Sequence, residues 1–158
     1  MLITSSRKPS AITRILCKQM ASFLNCNYIN RGKKGICEVL YLAEGEPLLV
    51  VGEYHGNPGS ITVFDEEGNC LLSLHINAAF SSGFKFTRLK EVEPVIEGTS
   101  ELASRIAEAL CLRHGENTSY LRSIQVDGNM INFYDSSKLI FRMQIKGSRF
   151  NDEKGDMS

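Results

Sequence analysis

The residues with the strongest chemical character in this chain are cations, and they are unevenly placed. Residues 1–37 hold Arg7, Lys8, Arg14, Lys18, Arg31, Lys33 and Lys34 and no carboxylate; Glu38 is the first. The formal net charge is nonetheless +0, from 18 basic and 18 acidic side chains, so everything after residue 37 is net acidic. A cationic segment on a neutral protein describes a confined anion-binding face and not a general polyanion coat. His55 and Asn57, in the turn-forming run His55-Gly56-Asn57-Pro58-Gly59, are the other polar groups placed to hydrogen-bond a loop or meet a phosphate.

Catalytic chemistry finds little support. Gly32-Lys33-Lys34-Gly35 is not a phosphate-binding P-loop, Gly56 and Gly59 do not supply one, and there is no G-x-G-x-x-G. No serine or cysteine nucleophile with a partnering carboxylate stands near His55 in sequence. His75 falls in a strand-like run, and His114 at a helix end, where an imidazole meets the last carbonyls. Glu66 and Glu67 read as solubilising residues of a hairpin. The five cysteines (Cys17, Cys26, Cys37, Cys70, Cys111) are odd in number, lack C-x-x-C spacing and have no histidine at zinc-ligand spacing. Cys17 and Cys37 lie beside apolar helical positions, where a thiol acts as a small hydrophobe. The expectation is no enzyme, catalytic residue, metal or cofactor, in a reducing cytoplasm.

The elements that must position these cations follow from periodicity. Leu2-Ile3-Thr4 is a short strand and Ser5–Pro9 a turn. Ile12, Ile15, Leu16, Met20, Phe23 and Leu24 give a helical stripe over about 10–24, with Ser10 as N-cap and Asn25 as stop. Tyr28-Ile29 is a second strand, ending in the loop Asn30–Gly35. A second helix carries Ile36, Val39, Leu40 and Ala43, and Leu48–Val51 is a buried strand. Ser60–Phe64 and Leu71–Ile76 form a hairpin. The stretch 77–98 is less legible, with Phe80, Phe84 and Phe86 expected to tuck it onto the core. A third helix is expected over 100–113 with Gly115 as its cap. Strands 120–126 and 130–134 flank Asp127-Gly128-Asn129, a half-buried strand follows over 139–146, and 151–158 is a polar tail. The whole is a single α/β domain over 1–150, with a weak duplication into halves of about 1–76 and 77–150.

A strand–helix–strand crossover leaves its strands parallel. The loops 5–9 and 30–35 then leave the carboxyl ends of neighbouring strands and lie on one rim of the sheet, where open α/β sheets bind ligands. A parallel strand at 48–51 would bring His55 and Asn57 to the same rim. Both basic loops run into helix N-termini, whose free N–H groups favour phosphate, and Arg14 and Lys18 extend the face along the first helix. Aromatic residues make up 8% of the chain and tryptophan is absent, so recognition of folded RNA by backbone and shape is favoured over base stacking. The N-terminus, an apolar burst followed by charge, is the reverse of a signal peptide, and no apolar run reaches the ~20 residues that cross a bilayer.

Three segments resemble the Brix family of ribosome-biogenesis proteins: Leu2–Ser10, with its Ser-Arg-x-Pro-Ser turn, Asn30-Arg31-Gly32, and His55-Gly56-Asn57-Pro58. They occur in the family's order, and the length is similar to that of the short archaeal form, related to the eukaryotic Brix, Peter Pan and Imp families. The resemblance implies two similar α/β halves akin to the anticodon-binding domains of class IIa aminoacyl-tRNA synthetases. It also implies a non-catalytic role in ribosomal RNA processing and subunit assembly, with ribosomal RNA as partner and ribosomal or assembly proteins as further ones. An alternative is a protein scaffold in a pre-ribosomal complex that does not touch RNA. Oligomeric state does not follow from the sequence.

Overall fold

The computed structural model describes residues 1–79, 85–115 and 121–150. The chain opens β1 (Leu2–Ser5), α1 (Ala11–Leu24), β2 (Asn27–Tyr28), α2 (Ile36–Leu42), β3 (Leu48–Tyr54), β4 (Asn57–Phe64) and β5 (Cys70–Ala79). It continues β6 (Val95–Glu97), α3 (Glu101–Leu110), β7 (Arg113–Gly115), β8 (Arg122–Asp127), β9 (Met130–Asp135) and β10 (Lys138–Phe150). Among the described residues, these ten strands join one sheet in the order β2-β1-β3-β4-β5-β10-β9-β8-β6-β7.

That order has an internal symmetry. β1 runs parallel to β2 and β3, and β6 runs parallel to β7 and β8; every other pairing is antiparallel. Each series therefore goes strand, helix, short edge strand, then a three-stranded meander, and the two meanders meet where β5 pairs with β10. Among the described residues α2 has no counterpart in the second series.

Alternation along the strands assigns the faces. Ile3, Leu49, Val51, Ile61, Val63, Leu72 and Leu74 join Ile96, Ile124, Val126, Ile131, Phe133, Phe141 and Met143 in one buried cluster. Leu16, Met20 and Phe23 of α1 and Ile106 and Leu110 of α3 complete it, so both helices cover the same face. Phe23 meets Phe133 edge-on at 5.2 Å, and Phe133 stacks on Phe141 at 4.0 Å, so the apolar core runs unbroken between the two series. Among the described residues the opposite face carries a helix only beside β1 and β3, where Val39 of α2 and its C-cap Ala43 pack on Leu2 and Leu48.

Local chemistry explains the boundaries. Ser10 caps α1 and Ser100 caps α3, each side-chain oxygen accepting the amide three residues on. Asn25 and Cys111 end those helices in the left-handed conformation, φ 56° and 55°. Several expectations are corrected. The third helix stops at Leu110, not Arg113, because Arg113–Gly115 is the edge strand that completes the parallel trio. His114 consequently meets the carbonyl of Gly98 and not those of a helix end. The second strand is Asn27–Tyr28, and β4 begins at Asn57, which confines the turn to His55-Gly56. Cys37 is exposed, whereas Cys17 is buried.

The connection before β6 is held differently from the aromatic anchoring expected. Phe86 is 42% exposed. Gln19 instead bonds both the N–H and the carbonyl of Thr87, Ser22 Oγ accepts from the Leu89 amide, and Leu89 packs on the core. Phe80, Phe84, Tyr120 and the tail 151–158 lie outside the described residues.

Candidate functional site

The parallel pairing of β1 with both β2 and β3 puts the ends of all three at one rim, with Ser5 level with Val51. The Ser6 amide donates to the Val51 carbonyl, which sets the start of the first loop against β3, three residues before that strand ends at Tyr54. Arg31 ties the second loop to the first. Its Nη1 donates to the Ser5 carbonyl at 3.0 Å and its Nε to the Lys34 carbonyl at 2.7 Å. From the other side, an Arg7 Nη2 stands 3.9 Å from where a Cβ on Gly35 would lie. The two loops that carry Arg7, Lys8, Arg31, Lys33 and Lys34 thus adjoin, held by Arg31 and with Arg7 reaching toward Gly35, and Arg7, Lys8 and Lys33 are exposed.

The β3–β4 hairpin is the third component. His55 (φ 52°) and Gly56 (φ 78°) form its two-residue tip, and Tyr54 pairs with Asn57 across it. Its ladder shifts between Gly52 and Glu53. Gly59 allows this: a Cβ there would sit 2.7 Å from Tyr54 Cβ. The tip presents Tyr54, 71% exposed, with its ring 4.1 Å from that of His55 in edge-to-face contact.

Glu53, at the root of the hairpin, changes the electrostatics expected of this rim. Its carboxylate accepts from the Ser10 amide at 3.2 Å and from Thr13 Oγ1 at 2.8 Å. Burial opposes its charge, but the hydrogen bonds from Ser10 and Thr13 outweigh that and hold its carboxyl below the ordinary range. Beneath it, burial with help from Glu53 pushes the Cys17 thiol up to about 12. The N-terminus of α1 is therefore already served by an internal anion, whereas α2 begins at Gly35 with no side-chain cap.

The remaining expected residues spread outward. Arg14 is exposed one turn into α1 and lies close enough to Tyr28 to oppose the rise in its phenol, which burial and then Cys17 cause. Lys18 belongs elsewhere: it lines a groove of about 670 Å³ with Ser22, Tyr28, Phe86 and Arg88, beside the connection before β6. Asn57 and His55 sit at the rim on the hairpin. Glu53 and Tyr54 were missed by sequence reasoning, since neither residue signals in sequence that it ends a strand beside a helix terminus. Among the described residues no cluster of histidine, cysteine or carboxylates is arranged to hold a metal ion, and no helix is long and apolar enough to cross a membrane.

Comparison with known proteins gives a consistent result. The chain is 43% identical over 149 residues to a probable Brix domain-containing ribosomal biogenesis protein of Methanococcoides burtonii, covering 94% of this chain and 96% of that one. The Methanosarcina barkeri protein of the same description is 39% identical, covering 93% and 98%. Among solved structures, Mil, an archaeal Imp4-like protein, superposes with a TM-score of 0.74 at 28% identity, over 96% of this chain and all of that one. A probable ribosomal biogenesis protein from Aeropyrum pernix shares the fold at a TM-score of 0.69 and 21% identity. No family model matches the chain.

Proposed function

The chain belongs to the family of Brix domain-containing ribosomal biogenesis proteins, and from that premise we propose that it serves ribosome biogenesis as a non-catalytic factor that binds ribosomal RNA along its basic rim. The observation that carries this reading is the joining of two cationic loops, distant in sequence, through Arg31 to the Ser5 and Lys34 carbonyls. Arg31 works partly as the clamp, so Arg7, Lys8 and Lys33 are the cations presented to phosphate. RNA carries a dense line of such charges, and cationic side chains set at the ends of parallel strands match it without any base-specific pairing. The exposed Tyr54 adds one stacking surface at the edge of the rim, more than composition alone indicated. We also infer the cytoplasm as its place of work, one domain over 1–150 with halves of about 1–76 and 77–150, and kinship with synthetase anticodon-binding domains.

The test is a titration of a ribosomal RNA fragment across salt. Each phosphate contact contributes roughly 0.7–0.9 to the slope of log K against log salt. The double variant Lys8→Gln/Lys33→Gln leaves the Arg31 clamp intact and flattens the slope by about one to two units. An unchanged slope removes both lysines from the interface. Binding to an assembly protein that survives ribonuclease, with no RNA affinity, favours the scaffold alternative.

A further inference from the structure

At the other end of α2 from Arg7, the surface has the opposite character. The helix reads Ile-Cys-Glu-Val-Leu-Tyr-Leu, apolar on nearly every face, yet Val39 is its only buried residue. A helix apolar all round is normally covered all round. Here Tyr41 is 84% exposed and Leu42 47% exposed. They line a groove of about 610 Å³ that runs between the end of α2 and the β4–β5 turn, with Leu40, Glu44, Glu66 and Glu67 completing its walls. The groove is shaped by a close contact: a Cβ on Gly68 of that turn would stand 3.3 Å from Leu40 Cδ1. No lysine or arginine lines it, and Glu44 and Glu66 carry no ion pair among the described residues.

We propose that this groove is a docking site for a protein partner, and that the segment it takes is basic with an apolar anchor. The anchor covers Tyr41 and Leu42, and lysines or arginines meet the three carboxylates around it. Two other occupants fit worse. RNA brings phosphates against Glu44, Glu66 and Glu67. A second copy joined by two-fold symmetry sets the same carboxylates opposite one another, a like-charge contact that disfavours the pair. The groove lies one short helix, about 10 Å at 1.5 Å per residue, from the basic rim. One molecule can therefore hold a polyanion at one end of α2 and a cationic protein segment at the other. This proposal does not depend on the RNA reading.

The probe is a short fluorescein-labelled peptide of lysines and leucines, compared with a lysine-only and a glutamate–leucine peptide, each titrated into the full chain without RNA. Anisotropy gives the affinity and amide shifts in the ¹⁵N-labelled protein give the place. The lysine–leucine peptide is expected to saturate, to shift residues 40–45 and 66–68, and to bind about tenfold more weakly to Tyr41→Ser/Leu42→Ser. The variant Glu44→Lys/Glu66→Lys/Glu67→Lys, which leaves the apolar anchor site untouched, should transfer preference to the glutamate–leucine peptide. Lys8→Gln/Lys33→Gln should bind the lysine–leucine peptide as the parent does, which separates this site from the rim. Shifts confined to other residues, absence of saturation, or unchanged affinity in both groove variants overturns the proposal. So does a concentration-dependent mass that Tyr41→Ser abolishes, which would assign the groove to self-association.

Discussion

Single residues at the rim divide between those that build it and those that face outward. Glu53 builds it. Its folded carboxyl lies below the ordinary carboxylate value, so the stability it lends is complete above that value and is lost as pH falls through the folded one. Unfolding measured by urea between neutral pH and about pH 3 should show the parent losing stability below about pH 4, the ordinary range of a glutamate. Glu53→Gln should be less stable at neutral pH and lose less on acidification; equal losses in both would remove Glu53 as a cap of α1. The cationic half of the rim was legible because seven basic residues precede the first carboxylate. Glu53 was not, since a glutamate after Leu-Leu-Val-Val-Gly looks the same in sequence whether it meets solvent or a helix terminus. Arg31 shows the same limit in reverse: its charge was visible, its use as a bond between two loops was not.

At the level of elements, α1, α3 and the meanders were legible because their apolar residues recur at the period of the structure they form. Edge strands β2 and β7 were misplaced or missed, being two and three residues long with exposed or half-buried side chains, too short for a period to appear. The connection before β6 was obscure for another reason: its anchor is a distant residue. Arg122, buried on β8, donates to the carbonyls of Phe23, Val92 and Lys90, lies 3.4 Å from Asp135 and 5.4 Å from the centre of the Phe23 ring. One guanidinium so joins the end of α1, the connection and β8 across about a hundred residues of sequence. Arg122→Met leaves those carbonyls and Asp135 without their donor and should cost about 3–5 kcal/mol in urea unfolding. A loss under about 1 kcal/mol, the worth of an ordinary surface contact, would show that the network is dispensable.

Across the whole molecule, the two parallel trios lie at opposite ends of a single sheet, and among the described residues only the first has a helix on its outer face, beside its cationic loops. The duplication in strand order is thus accompanied by divergence in charge. The polarity of the first trio, basic at one end of α2 and acidic with exposed apolar groups at the other, is what turns a neutral chain into a two-sided one. The RNA reading requires that the two basic loops and the β3–β4 hairpin tip touch ribosomal RNA. Ultraviolet crosslinking in cells, followed by sequencing of the attached RNA and mass spectrometry of the attached peptides, reads that contact at the residues themselves. The expected result is ribosomal RNA joined to residues within 5–9, 30–35 and 54–58. Crosslinks that fall on the outer face of β5 and β10 with none on those loops, or a chain that carries no ribosomal RNA, would contradict it.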